Sequence, residues 1–171
     1  GKTLANERRL YCGSTDLDLS EQGREALHGI HFVISNVRFR TSGMKRANET
    51  MELLFPGVPY EQDPRFREVG FGVFEMLSYE DLKDRPDYQI WLTGDNERNV
   101  PPGGESGEQM TERVLSAYRG LTDDTCLVTH GGVIAAIMAS LFPEENKHRY
   151  QWQPKNGCGY AIYGDHFESI P

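Results

Sequence analysis

The sequence is short of most features that mark out whole classes of protein. Only three cysteines occur in 171 residues, Cys12, Cys126 and Cys158. They are widely spaced and form no Cys-x-x-Cys pair, so neither a zinc ribbon nor a redox dithiol is expected, and a reducing, cytoplasmic setting suits the chain. No apolar run approaches the roughly 18 residues of a membrane span, so no membrane partner is expected. The start, Gly1-Lys2-Thr3-Leu4-Ala5-Asn6, does not read as a signal peptide. Positive charge is scarce: 18 Lys and Arg against 26 Asp and Glu leave a net −8. Nucleic acid is therefore not an expected partner, since binding it needs basic surface to displace counterions. A phosphate ligand is not excluded, because a few placed arginines outweigh net charge locally. No Gly-x-Gly-x-x-Gly follows a strand, which argues against a dinucleotide-binding unit. Repeats, low-complexity tracts and long linkers are also missing.

What is present fits one α/β domain spanning residues 1–171. Apolar residues make up 37% and charged residues 26%, proportions of a folded chain rather than a disordered one. Residues 1–19 read as loop. Ser20 is placed to cap a helix running through Ala26, Leu27 and Ile30. Val37–Thr41 alternates as a short strand, and Met44, Ala47, Met51 and Leu54 then share one helical face until Pro56-Gly57. Residues 64–104 are irregular and aromatic, with short helices expected at Ser78 (Ser78-x-x-Asp81) and near Asp87. Ser106-x-x-Gln109 is a stronger capping box, ahead of Met110, Val114, Ala117, Tyr118 and Leu121 at helical spacing. Asp123-Asp124 reads as a turn, Thr125–Thr129 as an apolar strand, Val133–Ala139 as a nearly all-apolar helix and Cys158–Tyr163 as a last strand. Strands alternating with helices point to helices flanking a mostly parallel sheet.

Four segments carry residues suited to chemistry. In Val128-Thr129-His130-Gly131-Gly132-Val133 a strand meets a glycine pair and then a helix. Free N–H groups at a helix start favour an anion, and glycines permit close approach. His130 either faces such a site or is a structural histidine satisfied by a carbonyl. In Ser42-Gly43-Met44-Lys45-Arg46-Ala47, Arg46 stands in a first helical turn, where the helix dipole disfavours a cation unless an anion lies beside it. A guanidinium can hold two phosphate oxygens at once; the plainer alternative is a solvated arginine. Glu68, among aromatics and glycines, is either a loop charge or a partly buried general acid. Glu105 can orient a neighbour, while Ser106 is a cap.

Taken in order, these segments resemble the histidine phosphatase superfamily, which includes the cofactor-dependent phosphoglycerate mutases. That family opens with a strand ending Arg-His-Gly, then Thr or Ser, then Asn; Gly1, Thr3 and Asn6 match from the glycine on. Gly13, Asp16, Leu19-Ser20 and Gly23 continue the pattern. Ser42-Gly43-Met44-Lys45-Arg46-Ala47 matches its Ser-Pro-Leu-x-Arg-Ala, with Gly43 replacing proline. Glu68, Phe71-Gly72 and Glu75 match its Glu-x-x-Phe-Gly-x-x-Glu, and Gly104-Glu105-Ser106 and Thr129-His130-Gly131-Gly132 complete the set.

The resemblance implies a three-layer, phosphoglycerate mutase-like sandwich whose N-terminal strand is missing here. It implies a histidine that attacks phosphorus, with Glu68 protonating the leaving alkoxide and His130 stabilising the transferring group. Asn6, Arg46, Gly131, Gly13 and Ser14 would bind the substrate, with no metal or cofactor. The family's Arg-His falls immediately before Gly1, so a chain shortened at its start and inactive by itself is expected. The ligand would be a small phosphorylated metabolite or inorganic phosphate; a homodimer is left open. The short spacing, 22 positions from Arg46 to Glu68 and 62 from Glu68 to His130, favours phosphatases over the longer mutases. The segment from Phe66 to Glu105 is similar to α-ribazole phosphatases of cobalamin synthesis, and residues 64–104 would cover the active site. Phe71, Phe74, Tyr79 and Trp91 either stack on substrate there or belong to the core. Mutase activity and a catalytically dead phosphate-binding pseudoenzyme are the alternatives.

Overall fold

A computed structural model describes residues 1–171 apart from positions 33, 96 and 123. Three short strands carry the segments set apart above. β1 (Arg38–Thr41), β2 (Glu61–Gln62) and β3 (Thr125–Val128) pair in parallel in the order β2-β1-β3. Thr41 stands opposite Val128, so β1 and β3 stop level with each other. The chains leaving them, from Ser42 and from Thr129, therefore emerge at one carboxyl edge, where open α/β sheets hold their ligands. The turn expected at Asp123-Asp124 lies partly outside the described residues; the Asp124 carbonyl accepts from the Arg38 N–H at 2.8 Å.

The α-helices along the chain are α1 (Leu4–Glu7), α2 (Glu21–Glu25), α3 (Lys45–Leu54), α4 (Tyr79–Leu82), α5 (Pro86–Leu92), α6 (Gly107–Tyr118) and α7 (Gly131–Leu141), and those that follow β1 and β3 start at that edge. After β1 comes α3, which buries the expected Met44, Ala47 and Met51. Its N-cap, Met44, has no side-chain acceptor. Asp16, far away in sequence, accepts the Lys45 N–H at 2.8 Å instead. After β3 comes α7, apolar on nearly every face because neighbours cover it on several sides. In front of it, α6 starts at Ser106, whose Oγ accepts the Gln109 N–H at 3.0 Å while Gln109 Oε1 accepts the Ser106 N–H at 2.9 Å. A cap of this kind is worth about 1 kcal/mol. Met110, Val114 and Ala117 of α6 meet Val133, Ala136 and Ile137 of α7, with Phe66 among them.

Two further clusters complete the core. Ala135, Met138, Phe142 and Trp152 pack on an antiparallel hairpin of β4 (Gly159–Tyr163) and β5 (His166–Ile170). Phe74, Leu82 and Tyr88 form a third cluster, flanked by the half-buried Tyr11, Phe71, Leu77 and Trp91. The aromatic stretch thus divides: Phe74 is core, Tyr79 is exposed, and Phe71 and Trp91 line a cavity.

The layered α/β arrangement follows the sequence, with four local corrections. Residues 1–19 are not all loop: Thr3 and Asn6 form a capping box that closes α1, and Thr3 bridges to Leu19. The helix after Ser20 ends at Glu25, before the turn at residues 26–29. The last strand is one arm of a hairpin, because Gly164 turns back at φ +64° and starts β5. The sheet is divided, β3 lying at the edge of one part and β4 belonging to the other. A cavity of about 1730 Å³ is lined by Cys126, Leu127 and Val128 of β3 and by Tyr160, Ala161 and Ile162 of β4. Among the described residues no helix is long and apolar enough to cross a membrane.

Phe66 joins this core to the site two residues later, since its carbonyl accepts from the Thr129 hydroxyl at 2.7 Å. Phe66→Ala leaves a cavity between α6 and α7 and is expected to cost about 3–5 kcal/mol, read from urea unfolding; a loss within ±0.5 kcal/mol, as at a surface position, would refute this packing.

Candidate active site

The structure brings Arg46 and His130 into contact, side by side at the shared carboxyl edge. Arg46 is 8% exposed, so its permanent charge is almost out of water. Its Nη1 donates to the Thr15 carbonyl at 2.8 Å, its Nη2 to the Gly13 carbonyl at 2.7 Å and its Nε to His130 Nδ1 at 3.3 Å. A guanidinium has five N–H groups, so three bonds leave two unused. Among the described residues no carboxylate stands within ion-pair distance of Arg46. A buried cation without a counter-charge is costly unless an anion completes it. Arg46 is among the residues that line the cavity.

His130 is 7% exposed and held from both sides. Because Arg46 Nε can only donate, His130 Nδ1 must accept and carries no proton. The ring proton of the neutral imidazole is then on Nε2, which donates to Ser42 Oγ at 2.8 Å. Burial is the main reason His130 resists protonation well below the ordinary histidine range. The positive charges of Arg46, Arg113 and Arg67 add to it. Arg46 thus fixes the tautomer, and Ser42, next after β1 and 88 positions from the histidine, accepts the remaining ring proton.

Glu68 reaches the same edge from the other side. One carboxylate oxygen accepts the Val69 N–H at 2.9 Å and the other the Gly132 N–H at 2.9 Å. A Cβ on Gly132 would come within 2.3 Å of that carboxylate, so only glycine allows the approach. The α7 start, expected to seat a ligand, therefore holds a side chain of the protein's own, the carboxyl of Glu68, at Gly132. Gly131 remains a cavity-lining residue beside Gln153. Arg113, on α6, secures the Glu68 loop: its Nη1 donates to the carbonyls of Arg65 at 2.8 Å and Arg67 at 2.9 Å, and its Nη2 pairs with Glu105. Glu105 in turn accepts the Gly70 N–H at 3.3 Å. Glu105 thus holds an arginine and a loop amide, and Arg113 is a residue that the sequence reading did not single out.

Gly13 and Ser14, which the resemblance assigns to substrate, turn their N–H groups to a side chain. The N–H groups of Gly13, Ser14 and Thr15 converge on the carboxylate of Glu75, at 3.1, 2.9 and 3.2 Å. The hydroxyls of Ser14 and Thr15 and the Phe71 N–H join them, at 3.2, 2.7 and 2.9 Å. Burial alone would raise the pKa of Glu75, but these bonds outweigh it, and the carboxyl is held below its usual range. A Cβ on Gly13 would lie 1.6 Å from the Val69 carbonyl, so the loop depends on that glycine. Asn6 lines the cavity; its Oδ1 accepts from the Thr3 N–H at 2.8 Å in the capping box. Gly1 lines it too, its amine donating to Thr50 Oγ1 at 2.8 Å. The other histidines, His28, His31, His148 and His166, are exposed and do not line the cavity. Among the described residues no group of His, Cys, Asp and Glu side chains is arranged to hold a metal ion.

Comparison with known proteins matches residues 1–168 to the family model of the histidine phosphatase superfamily, branch 1. A curated relative, the 6-phosphofructo-2-kinase/fructose-2,6-bisphosphatase of Gallus gallus, is 32% identical over 132 residues, covering 72% of this chain and 28% of its own length. The chain thus spans under a third of the curated relatives it matches. Among solved structures, a phosphoglycerate mutase from Thermus thermophilus is 28% identical with a TM-score of 0.79, covering 100% of this chain and 94% of that one. An Escherichia coli protein provisionally described as an alpha-ribazole-5'-P phosphatase shares the fold at a TM-score of 0.83 and 24% identity, over 99% of this chain and 90% of that one.

The state of His130 has a consequence for stability. As pH falls below the ordinary histidine value of 6.5, the unfolded chain takes up the proton that folded His130 refuses. Its contribution is therefore full above that pH and lost below it. In phosphate-free buffer, unfolding free energy should fall more steeply below pH 6.5 in the wild type than in His130→Asn; equal slopes would mean that the imidazole is not held neutral.

Proposed function

This chain belongs to the histidine phosphatase superfamily, branch 1, and from that premise we propose that its pocket binds the phosphoryl group of a small phosphate monoester and hydrolyses the ester. The observation that carries the reading is Arg46: a buried guanidinium with two unused N–H groups, no carboxylate partner, and a neutral histidine against it. The two N–H groups suit two phosphoryl oxygens, with the Asn6 side chain and His130 beside them. Their placement before the ligand arrives is what lets such donors stabilise charge that builds up in transfer.

In this reading the nucleophile is a histidine at the position before Gly1, a residue that lines the cavity with Arg46. Its ring nitrogen attacks phosphorus as the ester P–O bond breaks, and Glu68 gives its proton to the departing alkoxide. Water then attacks the phosphohistidine, passes a proton back to Glu68, and releases inorganic phosphate. Phe71 and Trp91 at the cavity wall suit a substrate carrying a flat ring, and α-ribazole 5'-phosphate is the candidate carried over from the sequence. Mutase activity is the second reading, favoured by the full-length likeness to the Thermus phosphoglycerate mutase.

The test is turnover of p-nitrophenyl phosphate by residues 1–171 and by a version with Arg-His placed directly before Gly1. The shorter chain should be inactive and the longer one active, with Glu68→Gln in the longer chain losing about 10²–10⁴-fold. Full activity of the shorter chain would overturn the assigned nucleophile. Phosphate binding without turnover in the longer chain would favour a pseudoenzyme, and phosphoryl transfer between sugar-acid positions without phosphate release would favour the mutase.

A further inference from the structure

Resting on that reading of Arg46, we infer that Glu75 is a positioning residue that aims the phosphate-binding guanidinium through the loop at Gly13–Thr15. The loop is gripped on opposite sides of its backbone. Its three N–H groups turn inward to Glu75, and two of its carbonyls, Gly13 and Thr15, turn outward to Arg46. Successive N–H groups gathered on one anion form a nest, and a peptide plane that turns its N–H one way turns its carbonyl the other. The Gly13 carbonyl shares its plane with the Ser14 N–H, so Glu75 fixes it directly; the Thr15 carbonyl lies one plane further on and is held through the Thr15 N–H and hydroxyl on Glu75.

Three observations give this arrangement a direction. The two carbonyls take one N–H from each terminal nitrogen of Arg46, so they set the plane of the guanidinium and decide where the unused N–H groups point. Asp16, next in the loop, accepts the N–H of Lys45, so the loop also holds the start of the helix that carries Arg46. Glu75 itself meets neither Arg46 nor His130; its six donors are Gly13, Ser14, Thr15 (backbone of each), the two hydroxyls, and the Phe71 N–H. Phe71 lines the cavity, so the same carboxylate ties the Arg46 side of the pocket to its aromatic wall.

Glu75→Gln tests this. An amide keeps the size but offers one acceptor oxygen and turns an NH₂ toward backbone N–H groups. The readout is affinity for inorganic phosphate by calorimetry in wild type, E75Q, R46A and the double variant, each checked for a cooperative thermal melt. E75Q should weaken binding about 10-fold, and R46A/E75Q should bind no more weakly than R46A, because Glu75 acts through Arg46. T15V makes the same comparison with a milder change: it removes the hydroxyl that bonds Glu75 at 2.7 Å and keeps the carbonyl that Arg46 uses. It should weaken binding a few-fold in the wild type and not at all in R46A, and this arm decides if E75Q does not melt cooperatively. Wild-type affinity in E75Q, or a loss of equal size with and without Arg46, would overturn the inference alone. Unchanged affinity in R46A would remove the phosphate reading of the pocket as well.

Discussion

The site depends on one buried positive charge. Arg46 cannot give up its proton inside a protein, and it has no carboxylate to pair with among the described residues. The fold answers with dipoles instead of a counter-ion. Two loop carbonyls and a histidine nitrogen satisfy three of its N–H groups and leave net positive charge facing the cavity. A carboxylate in the same place would have stabilised the empty protein and competed with any incoming anion. The same charge helps to keep His130 neutral.

Around this charge the acidic residues are kept occupied. Glu68 sits on the start of α7, Glu105 on Arg113, and Glu75 in the nest of the 13–15 loop. Each accepts backbone N–H groups or an arginine other than Arg46. A chain of net charge −8 can thus keep an anion pocket, because local geometry, not the total, sets the potential there. The level ends of β1 and β3 make the arrangement possible by delivering Ser42, Arg46 and His130 to one edge.

Much of this was legible in the sequence, for reasons that differ between residues. Ser78 and Ser106 announce their helices because a capping box is a local code read within four residues. His130-Gly131-Gly132 stands out because a strand, two glycines and an apolar helix succeed one another without a gap. Arg46 is visible as a cation where the helix dipole disfavours one. Arg113 is not, since its partners at residues 65, 67 and 105 are settled only by tertiary packing. Likewise the resemblance assigns Gly13 and Ser14 to substrate and says nothing of Glu75, 60 to 62 positions on, to which the N–H groups of residues 13–15 turn. The β4–β5 hairpin rests on one glycine, Gly164, easily read as the end of a strand.

A crystal structure of the protein with orthovanadate is the most direct test of the central claim. The account requires the oxyanion to sit in the cavity on the two unused N–H groups of Arg46, next to His130, with the Gly13 and Thr15 carbonyls still on the guanidinium and Glu75 still in its nest. An anion bound elsewhere, or one that displaces Glu75 from the loop amides while Arg46 stays uncontacted, would contradict it.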